Sequence, residues 1–168
     1  MWDLVRNGDF SHISTDHAPS NLAQKSEGSF WDAHFGLPGL DTTSRLLLDA
    51  AATGKLGYEG VVALYSESPA RRYGLFPHKG HLGVGADADM ALVDPGQPWL
   101  IQNADIISKA GWSPYAGRRG KGGIVRTYLR GRKIAEDGKP LDMFAGKFLP
   151  GEGSGASRSA IRDPPETD

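Results

Sequence analysis

The sequence contains no cysteine among its 168 residues. Disulfide staples and thiolate metal sites are therefore excluded within it. The lack of cysteine fits a reducing compartment, and a cytoplasmic location is the expectation. No apolar stretch approaches the roughly 20 residues that a bilayer-crossing helix needs. Met1-Trp2-Asp3-Leu4 has no basic region leading into an apolar core, so no signal peptide is expected. An excess of charge of either sign is also missing. Nineteen basic and twenty acidic side chains give a formal net charge of -1. That balance offers no electrostatic footprint for nucleic acid or an anionic membrane, and neither is expected as a partner. Histidine is sparse: His12, His17, His34, His78 and His81, with no two spaced as His-x-His. His78 and His81 sit in Pro77-His78-Lys79-Gly80-His81, a turn-like run, and a zinc site needs three or four convergent ligands. They read as surface loop residues. No internal repeat is present.

What is there centres on His12-Ile13-Ser14-Thr15-Asp16-His17-Ala18-Pro19. The β-branched residues predict a short strand over 11–15. A carboxylate, an imidazole and a proline follow at once. Polar groups at the carboxyl end of a strand are where barrel enzymes keep their chemistry. A carboxylate there can bind a metal or move a proton. The same run also reads as a turn, with Asp16 capping a backbone amide.

The remaining organisation is legible from punctuation. Trp2 to Arg6 reads as a helix end closed by Asn7-Gly8. Residues 17–39 read as a long loop broken by Gly28, Gly36, Pro38 and Gly39. Loops of that length are functional or disordered. Asp41-Thr42-Thr43-Ser44 offers a helix N-cap. Leu46, Leu47, Ala50 and Ala51 then form a buried stripe in a helix running through residue 53. Tyr58 to Tyr65 and Pro69 to Tyr73 predict two shorter helices, the second with proline in its first turn. After Gly74 the pattern turns to strands at 90–93, 124–129 and 132–135, with Arg130-Gly131 as a hairpin turn. Gly83 to Asp89 reads as a tight turn feeding the first strand. Arg118-Arg119-Gly120-Lys121 reads as a solvated loop, and Trp112 and Tyr115 as packing anchors. Residues 150–168 hold almost nothing to bury and predict a disordered tail.

Ser14-Thr15-Asp16-His17-Ala18-Pro19 resembles the strand-eight motif of the cyclic amidohydrolases: dihydroorotases, allantoinases and hydantoinases. Phe35-Gly36-Leu37-Pro38-Gly39-Leu40-Asp41-Thr42, Ser68 to Leu75, Lys79 to Asp89 and Ser108 to Gly117 resemble later segments of that family, in its order. The last of these leans toward dihydroorotase-like members. The resemblance implies an α/β plus β architecture: the last βα unit of a TIM barrel, followed by the C-terminal part of a small β-sandwich domain. The implied divisions are residues 1–75, 76–149 and the tail 150–168. A complete TIM barrel takes roughly 250 residues. The family's His-x-His pair, metal-bridging lysine and two further histidines have no match here and would lie upstream of Met1.

By the same resemblance, Asp16 is both the catalytic residue and a ligand of a divalent metal, zinc, in a binuclear centre. It takes a proton from a bridging hydroxide and passes it to the leaving nitrogen. Pro38 and Gly39 match a loop whose backbone binds the cyclic amide, although they also read as a simple turn before the helix. Ser20 stands where many dihydroorotases and allantoinases have histidine. Serine cannot give a carboxylate a charge-assisted hydrogen bond, which weakens dihydroorotate as substrate. His17 is the alternative contact, or else a turn residue. The implied activity is dihydroorotase-like hydrolysis of a cyclic amide or ureide, with allantoinase and hydantoinase types as alternatives. A chain this short is expected to be inactive alone. It is expected to homo-oligomerise or to pair with a missing N-terminal part. A non-catalytic partner and a small binding module around the 17–39 loop are the other readings.

Overall fold

The computed structural model describes residues 1–141 and 146–151. Helix α1 (Trp2–Asn7) ends at Gly8, whose φ of 83° lets its N–H turn back to the carbonyls of Leu4 and Val5. Helix α3 (Thr43–Ala52) is the packing centre. Leu47 and Ala51 join Leu56, Val61 and Leu64 in a buried cluster, against which Trp2, Val5, Ile13, Tyr58 and Tyr65 pack. The predicted stripe was one-sided, with Leu46 in it. Leu46 is only half-buried, and Leu48 and Asp49 are buried instead. The reason is that α3 has two covered faces, one on the helices and one on a sheet.

Tyr58 to Arg72 is one continuous helical run, not two helices. It comprises α4 (Tyr58–Val62), a π-helical turn (Ala63–Glu67) and α5 (Ser68–Arg72). Pro69 explains the irregular turn, because it brings no N–H. The Ser68 N–H reaches back five residues to the Ala63 carbonyl. In that register Leu64 would look to residue 69 for a donor and finds none. The Ile13 N–H supplies it instead, at 2.9 Å.

The strand predicted over 11–15 therefore forms no ladder among the described residues. Its backbone is extended but is tied to a helix carbonyl, and the one bridge nearby is His17 to Leu37. A strand needs a neighbouring strand to complete its hydrogen bonds, and this segment has none beside it. The loop predicted over 17–39 also contains a helix, α2 (Leu22–Ser26). It carries a capping box: the Asn21 side chain accepts from Gln24 N–H, and the Gln24 side chain accepts from Asn21 N–H.

One antiparallel four-stranded sheet, ordered β1-β2-β3-β4, follows. Its strands are β1 (Met90–Leu100), β2 (Arg119–Leu129), β3 (Arg132–Glu136) and β4 (Lys139–Pro140). The strand expected at 90–93 runs on to Leu100. Asp94-Pro95-Gly96-Gln97 is absorbed as a bulge, where a missing N–H costs no ladder bond. The pairing that follows puts Lys121, Gly120 and Arg119 opposite Pro98, Trp99 and Leu100, so of the basic run only Arg118 stays outside the strand. Arg130 and Gly131, with φ of 48° and 78°, make the expected two-residue turn into β3.

The sheet docks on α3 through Asp49. Its carboxylate accepts the Lys121 N–H at 3.1 Å and lies 3.6 Å from the Arg118 guanidinium. Gly120 is required here, since any side chain would run into the Trp99 ring and the Asp49 carboxylate. Pro150 is buried and Gly151 lies against the Tyr73 carbonyl, so the last described residues pack on the helical end. The rest of the expected tail, 152–168, lies outside the described residues.

The 79–89 turn is closed by an ionic knot. The Lys79 ammonium contacts Asp89 and sits 2.7 Å from Asp87, and Asp89 also accepts the Arg130 N–H at 2.8 Å. Burial pulls the Lys79 ammonium down, but its hydrogen bonds to the two aspartates outweigh this and raise it above its ordinary value. The Lys79 hydrogen bond holds Asp87 below the usual carboxylate range, against a smaller opposing effect of burial. A depressed carboxylate stabilises fully above its unfolded value of about 3.9 and loses that as pH falls through the folded value. A raised ammonium stabilises fully below its unfolded value of about 10.4 and loses that as pH rises through the folded value. The knot's contribution is thus expected to be flat between those limits and to fall away outside them. Urea midpoints of the wild type and Lys79→Met across that range check this; parallel pH profiles would contradict it.

Pro69→Ala supplies the absent N–H inside the helix. It is expected to take the Leu64 carbonyl away from Ile13 and to speed hydrogen exchange at the Ile13 amide, while the Lys121 amide stays protected. An unchanged Ile13 rate would mean that the segment is held without the Leu64 carbonyl.

Candidate active site

Asp16 stands at the end of the extended segment, three residues beyond the Ile13 anchor. His12 adds a second anchor one residue earlier, sharing hydrogen bonds with the Ser11 hydroxyl at 3.0 Å and the Tyr73 hydroxyl at 3.3 Å. Asp16 itself has φ of 44°, in the left-handed region that aspartate tolerates better than most residues. Its side chain is exposed and makes no hydrogen bond or ion pair among the described residues. The reading of Asp16 as a cap on a backbone amide thus finds no partner here. Non-glycine residues held in this region gather at functional sites, because the surroundings must over-determine them.

The surroundings are the 36–40 turn. The Ala18 N–H donates to the Leu37 carbonyl at 3.1 Å. The His17 Nδ1 accepts the N–H groups of Gly39 at 3.1 Å and Leu40 at 3.2 Å. Amide groups only donate, so Nδ1 is bare and the ring proton sits on Nε2. A Cβ at Gly36 would overlap that of Ala18, and one at Gly39 would lie 3.2 Å from the Thr15 carbonyl. Glycine at both positions is what lets the turn lie against the Asp16 segment.

Gly39 carries the structural load of this turn. Its carbonyl accepts from the backbone N–H groups of Thr42 and Thr43, both at 3.1 Å. It also accepts from their hydroxyls at 3.2 and 2.8 Å. The start of α3 is thereby closed without a side-chain cap. Of the run Asp41 to Ser44 expected to cap the helix, Thr42 takes the N-cap position, and the Asp41 carboxylate is used elsewhere: it accepts the N–H groups of Ile107 and Ser108 at 3.0 and 3.3 Å. Pro38 is buried beside it. Both Gly39 backbone groups are thus committed within the chain.

Ser20 lies on the far side of the Asp16 turn. Its carbonyl accepts the Trp112 indole N–H at 2.8 Å. Trp112 is the anchor that was expected, and the Lys25 ammonium sits 5.8 Å from its ring centroid. Tyr115 is 37% exposed and packs less. The structure thus brings His17, Pro38 and Gly39 around Asp16, with Ser20 held at the rim by Trp112.

Sequence reasoning passed over two elements here. One is α2, whose Asn21-x-x-Gln24 spacing was a readable signal. The other is the aromatic edge of the loop: Phe30, Trp31 and Phe35 are 84, 87 and 91% exposed.

One oxygen ligand, Asp16, fits a divalent cation. A full set does not: no group of three or more His, Cys, Asp or Glu converges among the described residues. His81 is spent in its own turn, with Nε2–H donating to the Pro77 carbonyl at 2.7 Å and Nδ1 accepting the Gly83 N–H at 2.9 Å. His78 is exposed on the same turn.

Comparison with known proteins gives this arrangement a context. A D-phenylhydantoinase of Escherichia coli O1:K1 is 37% identical over 151 residues, which is 88% of this chain and 32% of that protein. A dihydroorotase of Methanothermobacter thermautotrophicus is 36% identical over 148 residues, 88% of this chain and 34% of that protein. The solved L-hydantoinase (dihydropyrimidinase) from Arthrobacter aurescens superposes with a TM-score of 0.79 at 31% identity, covering 83% of this chain and 32% of its own. A D-hydantoinase structure gives 0.78 at 30% identity, covering 83% and 31%. The chain therefore spans about a third of the length of the curated relatives it matches. The model of the amidohydrolase family matches residues 1–134, from α1 through the β2–β3 hairpin, and this chain belongs to that family.

Proposed function

We propose that this chain is the C-terminal part of a hydrolase that opens cyclic amide C–N bonds. Residues 1–75 would belong to the last βα unit of a TIM barrel, and 76–149 to a small β domain. The observation that carries the reading is Asp16: exposed, unpartnered among the described residues, and held at φ of 44° beside a glycine turn. Amide resonance makes the carbonyl a weak electrophile, and the ring nitrogen leaves only when protonated. A fixed carboxylate answers the second need. It accepts the proton released when water adds to the carbonyl carbon, and delivers it to the nitrogen as the C–N bond breaks. A divalent metal, zinc by the resemblance, is part of the proposal. Asp16 would give it one oxygen, and the other ligands would come from outside this chain.

Two rings compete as substrate. The 108–117 segment and the dihydroorotase relative favour dihydroorotate. Ser20 favours an uncharged hydantoin-type ring, since it has no cation to offer a carboxylate. Partnership follows from the same reading. Phe30, Trp31 and Phe35 are nearly fully exposed in one loop next to the site, which is unusual for an isolated surface. A site with one metal ligand needs the remaining two thirds of its relatives' length, joined or paired.

Hydrolysis of dihydroorotate, phenylhydantoin and allantoin with zinc supplied tests the reaction. The chain alone is expected to turn over none of them. Together with an amidohydrolase N-terminal portion it is expected to open one of them, and Asp16→Asn is expected to lower kcat by about a hundred-fold or more. Full activity of the Asn variant would sink the role given to Asp16, and turnover by the chain alone would sink the partial-site reading. Sedimentation of the chain alone is expected to show self-association; a monodisperse monomer with a cooperative melt would contradict the pairing.

A further inference from the structure

We infer that His17 is a positioning residue: its Nδ1 gathers the Gly39 and Leu40 amides and so fixes Asp16 and the 38–40 turn as one rigid corner. The inference rests on the reading of Asp16 as the reacting carboxylate. Adjacent in sequence, the two side chains have separate tasks. The carboxylate of Asp16 is free, and the imidazole of His17 is occupied. Both amide donors point at one lone pair, at 3.1 and 3.2 Å, which requires an unprotonated Nδ1 and places the proton on Nε2. Neither ring nitrogen then keeps a lone pair for a metal or for use as a base.

The consequence for Asp16 is geometric. Upstream, the backbone is pinned where Ile13 N–H meets the Leu64 carbonyl at 2.9 Å. Downstream, it is pinned by Ala18 N–H on the Leu37 carbonyl at 3.1 Å and by the His17 ring. Asp16 is the corner between the two anchors, and its positive φ is the conformation that joins them. Without the His17 acceptor, the Gly39 and Leu40 amides lose their partner. The turn then has less reason to stay against Thr15, and the corner less reason to stay left-handed.

Side-chain length supplies a discriminating pair of variants. The Oδ1 of asparagine falls near the place of Nδ1, whereas the Oε1 of glutamine lies one bond further out. NMR of the full chain reads three quantities in the wild type, His17→Asn and His17→Gln. These are the His17 ring-nitrogen shifts, hydrogen exchange at the Gly39 and Leu40 amides, and the Asp16 amide-to-Hα coupling, which separates left-handed from extended backbone. The wild type is expected to carry its ring proton on Nε2. His17→Gln is expected to exchange about ten-fold faster at Gly39 and Leu40 and to lose the left-handed signature at Asp16, with His17→Asn restoring both. The Lys121 amide, held by Asp49, is the unaffected control. A wild-type proton on Nδ1 would overturn the inference, as would a Gln variant with unchanged exchange and unchanged Asp16 coupling. Should the Gln variant fail to fold, the wild-type ring shifts decide alone. None of these readouts involves hydrolysis, so a failed substrate assay leaves them standing and their failure leaves the assay standing.

Discussion

The placement of Asp16 depends on a carbonyl that its own helix cannot satisfy. Pro69 removes one N–H from the run Tyr58 to Arg72, and the π-helical turn that results leaves the Leu64 carbonyl without a donor in the helix. A polar group left buried and unpaired costs on the order of 1–3 kcal/mol, so something must fill the vacancy. Ile13 does, and its side chain packs beside Leu64 in the same cluster. Polar and apolar demands thus select one position for the segment that ends in Asp16. The segment needs no neighbouring strand to be held.

From that anchor the site is assembled by a few acceptors, three of which serve several donors each. The Gly39 carbonyl closes the start of α3, and the His17 Nδ1 closes the turn before it. The Asp41 carboxylate holds the 107–108 turn, and Ser20 receives Trp112. These bonds link stretches far apart in the chain, and α3 lies at their centre with the sheet on its other face through Asp49. A shift at any of them reaches Asp16 through few intermediates. A side chain at 36 or 39 would press on Ala18 or Thr15, the two residues flanking the Asp16–His17 pair.

What could be read from the sequence divides along physical range. Local devices were legible. The Asn7-Gly8 stop, the Arg130-Gly131 turn and the helix after residue 42 each depend on near neighbours. The motif around Asp16 was legible as family membership, since the residue types and their order carry the resemblance. Long-range pairing was not. Arg119 to Lys121 look like a solvated basic loop until Pro98 to Leu100 are known to lie opposite. The bond from the Asp41 carboxylate to the 107–108 amides, 66 residues on, leaves no sign in the helix-start run it belongs to. The 11–15 strand failed for the same reason in reverse: the pattern was right for an extended segment, but a ladder is a property of two strands. The capping box of α2 differs, because Asn21 and Gln24 were readable and simply short.

A carboxylate that moves a proton must be held in place before the substrate arrives, since ordering it afterwards would draw on binding energy. On the role proposed for Asp16, that ordering would be internal to the chain. The corner at Asp16 is determined by Leu64 on one side and by Leu37, Gly39 and Leu40 on the other, and none of these hydrogen-bonds the carboxylate itself. The corner is therefore built within a chain that spans about a third of the length of its relatives. What the described residues do not supply is convergence. Cation ligands must meet at one point from several elements, and among the described residues no three candidate ligands do so. Preorganisation of one group is a local problem, whereas a ligand shell must draw on several elements at once, and on the proposed reading this chain supplies only the first.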